Sequence, residues 1–157
     1  MRLTKEIKNI SVDAEWYKNE FLTVQMAASN EKGEIVDYYI FSKEHSTLER
    51  CPKVYNGVPV TVVRHPIGKE GILNTFEELP VELECLFFYS PRDIEGLLGQ
   101  DIWRELLLNG EVSKTRNLNI RSQRLDYEQS SKCRLMFKDL FGRFGCSLED
   151  AYRFLYI

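Results

Sequence analysis

The stretch SVDAEWYKNEFLTVQMA, residues 11–27, decides how this chain is read. It has the apolar and β-branched character of strands, yet it carries Asp13 and Glu15 two positions apart, just before the aromatic pair Trp16 and Tyr17. In a pleated strand, side chains at i and i+2 point to the same face. Two carboxylates crowded there repel each other and lose solvation unless a cation or a hydrogen-bond network compensates. Two readings are open: a solvated strand end, or a divalent-metal site.

Outward from that stretch, IKNISVD (7–13) reads as a first strand running into D-A-E, and FLTVQMAAS (21–29) as a second. The turn EKG (31–33) leads to EIVDYYIFS (34–42), a third. Short connections make these a meander, so a mainly antiparallel sheet opens the fold. VPVTVVRHP (58–66) is expected as a further strand and ILNTFEELP (72–80) as a short helix closed by Pro80. LECLFFYS (83–90) is nearly continuous in apolar residues, as in a strand covered on both faces. Ser90 and Pro91 then suit an N-cap and a first helical position. Helical spacing of apolar residues at 94, 97, 98, 102, 106 and 107 predicts one helix ending at Asn109-Gly110. A hairpin is expected from RNLNIRSQRLDY (116–127) and KCRLMFKDL (132–140), and a last helix from GCSLEDAYRFLYI (145–157).

A length of 157 residues suits one domain with a substantial core. No apolar run approaches the ~20 residues needed to span a bilayer, and MRLTKEIKN at the start has no apolar leader region. A soluble cytoplasmic protein without membrane partners is expected. Cys51, Cys85, Cys133 and Cys146 form no C-x-x-C pair, which points to thiols in a reducing compartment rather than a zinc site. A net charge of -3 does not advertise nucleic-acid binding. It does not exclude it, because a carboxylate-rich active site offsets basic residues elsewhere.

The chemistry rests on a third acid. Asp93 lies where strand 83–90 hands over to its helix, the edge at which α/β folds gather functional groups. If that strand neighbours the first, Asp13, Glu15 and Asp93 converge. Three carboxylates suit Mg²⁺ or Mn²⁺, which take oxygen ligands. Two such ions about 3.5–4 Å apart clamp the attacking and leaving oxygens of a phosphodiester displacement. The ordinary alternative for Asp93 is a carboxylate favoured by the helix dipole.

VDAEW followed by LTVQMA resembles the first motif, D-x-E, of the DnaQ-like (DEDD) 3′–5′ exonucleases of the RNase H-like superfamily. LFFYSPRDIEGLL resembles their second motif, an apolar strand running through a short loop into a helix-starting Asp. KCRLMFKDLFGRFGCSLEDAYRFL, with Asp139 at a turn, is similar to the later part of the exonuclease domains of family B, protein-primed DNA polymerases. The resemblance covers roughly residues 9–157. It implies an α/β, RNase H-like mixed sheet, a three-strand meander plus further strands, flanked by helices and carrying an added hairpin. It also implies Asp13, Glu15 and Asp93 as catalytic ligands of two Mg²⁺ or Mn²⁺ ions, single-stranded DNA ends as substrate, and a downstream polymerase segment or partner chain.

Departures from the family pattern are specific. Tyr89 stands where the second motif usually has Asn, and Leu140 and Phe141 stand where Ser or Thr plus Leu are expected. The third motif, a Tyr or His four or five residues before a last Asp, has no match: Asp150 has Cys146 or Gly145 at those positions. A catalytically incomplete module that binds nucleic acid or a protein partner is therefore the alternative reading. The apolar end FLYI (154–157) fits truncation, or a docking surface. For nucleic acid, Trp16 and Tyr89 are candidate base-stacking residues, and Arg116, Arg121 and Arg124 candidate phosphate contacts. Packing beneath the meander and a solvated hairpin face are the plain alternatives.

Overall fold

The computed structural model describes residues 6–18, 20–43, 51–65, 70–75, 82–87, 91–109, 124–130, 133–139 and 153. Three long strands form the expected meander: β1 (Ile7–Tyr17), β2 (Glu20–Asn30) and β3 (Ile35–Ser42). Then come the short β4 (Val54–Tyr55), β5 (Val58–Arg64), a 3₁₀ turn (Leu73–Thr75) and β6 (Glu82–Phe87). Two helices follow, α1 (Pro91–Leu98) and α2 (Gln100–Leu108), and the described order ends with β7 (Arg124–Ser130) and β8 (Cys133–Asp139).

The eight strands among the described residues belong to one sheet, ordered β4-β5-β3-β2-β1-β6-β8-β7. β1 pairs antiparallel with β2 and parallel with β6, and β6 pairs parallel with β8. On the other side β5 lies parallel to β3. The sheet is therefore mixed, with helices joining its parallel strands β6 and β8, and the fold is of the α/β kind.

Alternation along the strands separates the two faces. Ile10, Val12 and Ala14 of β1, Val24, Met26 and Ala28 of β2, and Tyr39 and Phe41 of β3 are buried. They form one core with Ile94, Leu97, Trp103 and Leu106 of the helices and with Leu135 and Phe137 of β8. Ser11, Asp13 and Glu15 project to the opposite face and are exposed. Burying the large apolar side chains contributes roughly 1.5–3 kcal/mol each, which fixes the register against a one-residue slip.

Several boundaries differ from expectation, each for a local reason. β1 extends past residue 13 to Tyr17 because Ala14 continues the inward alternation. The expected single helix is broken at Gly99, whose φ of 98° and ψ of 159° only glycine adopts readily. After the break Trp103, which the spacing did not include, is buried with Leu106, while Ile102 and Leu107 pack half-buried against the core. Strand β4 was not expected at all; Asn56-Gly57, with φ of 49° and 78°, joins it to β5 as a two-residue hairpin turn. Asn-Gly is the strongest short-range hairpin signal. The later hairpin pairs Arg124–Ser130 with Cys133–Asp139, so the Glu128–Ser130 part of the expected turn is strand. Residues 116–123, 76–80, and the expected helix 145–157 apart from residue 153 lie outside the described residues.

His65 follows β5 and sets its ring edge-on to Phe41, centroids 6.4 Å apart. Its Nδ1 is buried and has no hydrogen-bond partner among the described residues. Burial lowers the His65 pKa from 6.5, with Glu70 opposing more weakly. The unfolded chain therefore binds more protons than the fold in the window just below pH 6.5, so stability falls as pH falls through that window. His65→Phe should remove this contribution. The check is the urea midpoint of both proteins from pH 7.5 to 5.5: the wild type should lose more than the variant, and parallel curves would refute the assignment.

Candidate functional site

The site is built around the second half of β1. Among the described residues β6 pairs with β1 over Asn9–Ser11, opposite Glu84–Leu86. β1 pairs with β2 as far as Tyr17. A buried backbone N–H needs a hydrogen-bond partner. Asp93, in the first turn of α1, supplies one: the Ala14 N–H donates to Asp93 Oδ1 at 2.8 Å. The Asp93 side chain is 4% exposed.

That single bond answers where the three acids lie. Ala14 sits between Asp13 and Glu15, and a contact of 2.8 Å to its nitrogen puts the Asp93 oxygen within about 5 Å of the Asp13 Cα. The three acids are thus brought to one end of β1 from two elements far apart in sequence. They do not share a surface equally. Asp13 and Glu15 are exposed on the face away from the helices, whereas Asp93 is buried against the strand. Among the described residues, no three His, Cys, Asp or Glu side chains gather closely enough to hold a metal ion.

The neighbourhood of the two exposed carboxylates is polar. Across β2, Asp13 faces Gln25 and Glu15 faces Thr23, and Gln25 Nε2 donates to Thr23 Oγ1 at 2.5 Å. The register shifts immediately after Glu15, where Trp16 pairs with Phe21 and Leu22 is the extra residue. Bulges of this kind bend a strand and re-aim its side chains, and they recur beside active sites.

At the hairpin tip Trp16 is 44% and Tyr17 64% exposed, so packing beneath the meander does not account for them. Lys18 Nζ lies 5.3 Å from the Tyr17 ring centroid. An exposed aromatic pair with a cation, one residue beyond Glu15, offers a stacking surface of the type single-stranded bases use.

Arg124 opens β7, opposite Lys138 of β8, at the far edge of the sheet. Asp139 ends β8 in register with Phe87. Tyr89, Arg116, Arg121 and Asp150 lie outside the described residues. Cys85 is a buried thiol, 3.9 Å from the Leu83 carbonyl, and Cys51 a half-buried one.

Sequence reasoning missed a depression of about 640 Å³ on the face opposite the helices. Asp13 and Gln25 line one part of it, and Tyr38, Ile40, Tyr55 and Val60 another. The residues that form it come from six separate strands and the segment before β4, so no local motif announces it. Asn56-Gly57 was the one available signal, because it folds Tyr55 back beside β5.

No protein-family model matches the sequence, and no curated protein or solved structure matches the chain. Among the described residues no helix is long and apolar enough to cross a membrane.

Proposed function

We propose that this chain is an RNase H-like domain of the 3′–5′ exonuclease type, acting through divalent metal on single-stranded DNA ends. The observation that carries the reading is the Ala14–Asp93 hydrogen bond, which ties the second candidate motif to the middle of D-x-E. The topology supports it. A mixed sheet with a three-strand meander, further strands and an added hairpin is what the resemblance implies, and β6 lying parallel to β1 meets the condition for the acids to converge. Asp13 and Glu15 would hold Mg²⁺ or Mn²⁺, and a turn of the Asp93 carboxylate away from Ala14 would complete the ligands visible in this chain. When bound, such ions activate water and stabilise the departing 3′ oxygen. Trp16 would stack the terminal base, and Arg124 is a candidate phosphate contact. A reducing cytoplasmic setting suits the Cys85 and Cys51 thiols.

One observation favours the alternative of a catalytically incomplete module: Asp93 Oδ1 already serves a backbone N–H, and no three-acid group is assembled among the described residues. A two-metal site short of a ligand holds its second ion weakly, and without a Tyr or His the attacking water loses its orienting group. The chain by itself should therefore digest slowly.

The test is a time course of 3′-labelled oligonucleotide with the purified chain in Mg²⁺ and then Mn²⁺. Slow metal-dependent loss of the 3′ label, abolished by Asp13→Ala with folding intact, is expected. Removing one of two crowded carboxylates relieves repulsion in the metal-free protein. Digestion that persists in Asp13→Ala would place the activity elsewhere, and robust processive digestion would refute the incompleteness of the site.

A further inference from the structure

The depression opposite the helices has chemistry of its own, independent of nuclease activity. Its volume of about 640 Å³ lies inside the range of roughly 300–1,000 Å³ occupied by drug-sized ligands. Its floor is sheet: Ala27, Ile40, Val60 and Leu86 present apolar side chains across four strands. One wall is aromatic, where Tyr38 and Tyr55 meet edge to face with centroids 5.7 Å apart. Pro52 and the tight Asn56-Gly57 turn restrict the backbone that carries Tyr55, so this wall is built rather than incidental.

Charge decides the class of ligand. Asp13 is the one charged residue among those described as lining the depression, and Ser11 and Gln25 flank it. An anionic ligand would meet an uncompensated carboxylate beside an apolar floor. A cation would be attracted by the carboxylate and, along the way, by the faces of the tyrosine rings. We propose that this depression binds a small molecule with an apolar, ring-containing body and a positively charged amine end, the body lying over Ile40 and Val60 and the amine against Asp13.

Three probes of the same body separate the contributions: 4-phenylbutylamine, 4-phenylbutanol and 4-phenylbutanoate. Each is titrated into the whole chain at pH 7 with EDTA and no nucleic acid, followed by calorimetry and by amide NMR shifts. The amine should bind saturably, at least tenfold more tightly than the acid, with the alcohol between them and shifts centred on Ala27, Ile40 and Val60. Asp13→Asn should bring the amine to the level of the alcohol. Val60→Trp, which fills the depression from a half-buried position on β5, should weaken all three at least tenfold, with Ala27→Phe as the second filling variant if it does not fold. Acid and amine binding equally, binding unaffected by filling, or no saturable binding of any probe would overturn the proposal. Because the assay contains neither metal nor DNA, its failure leaves the nuclease reading untouched, and the converse also holds.

Discussion

Asp93→Ala is expected to destabilise the protein by about 2 kcal/mol, within the roughly 1–3 kcal/mol that a stranded buried polar group costs. The bond from the Ala14 N–H to Asp93 Oδ1 is 2.8 Å long and buried. Alanine removes the acceptor and opens a small void under Ala14. Asp93→Asn keeps an oxygen in the same place and should cost less than about 1 kcal/mol. The pair separates two roles that one residue would otherwise confound. If Asp93 serves only the backbone, Asn restores everything. If it also ligates metal, Asn restores stability but not metal-dependent digestion. Urea midpoints of the two variants, measured beside the digestion assay, make the distinction. Equal stability of Asp93→Ala and wild type would show that the bond contributes nothing.

Gly71→Ala is expected to cost about 3 kcal/mol, the sum of a left-handed backbone penalty and a displaced helix end. Gly71 has φ of +69°, where a side chain is strained. Its Cβ would also stand 2.3 Å from the Leu98 carbonyl carbon and 2.6 Å from Gly99 N. Both are backbone atoms at the junction of α1 and α2, so neither can rotate away. The neighbouring Ile72 N–H donates to Leu97 O at 3.0 Å, which ties the segment to the same helix end. For a chain of this size, the loss corresponds to a fall in melting temperature of about 6–12 °C. A fall of less than about 2 °C would mean that the segment before the 3₁₀ turn is free to move off the helix.

Much of the fold was legible because its signals are local. The meander follows from alternation in residues 7–42 and from the EKG turn, and Pro91 marked the start of α1. The break at Gly99 was not legible: apolar spacing on either side fits one helix, and only the backbone conformation at that glycine separates two. β4 was missed because Val54–Tyr55 is too short to show a period, although Asn56-Gly57 announced its turn.

Within the site, D-x-E and the helix-starting Asp were readable as residue types at suggestive spacing. Their proximity was conditional on β6 neighbouring β1, a long-range pairing that no short window of sequence contains. The role of Asp93 as partner of Ala14 N–H depends on the start of α1 lying against β1, which is equally non-local. The depression has the same character. Gln25, Tyr38 and Val60 each read as ordinary strand residues, and their common face exists only once β5 lies against β3.

The central claim is that Asp13 and Glu15, with Asp93 behind them, hold a divalent ion. Manganese titration followed by electron paramagnetic resonance tests it directly, because free and bound Mn²⁺ are counted without any need for turnover. The account predicts saturable binding of one Mn²⁺ per chain, lost in Asp13→Asn and in Glu15→Gln and weakened in Asp93→Asn, with all three variants folded. No saturable binding by the wild-type chain, or binding left unchanged by both Asp13→Asn and Glu15→Gln, would contradict it.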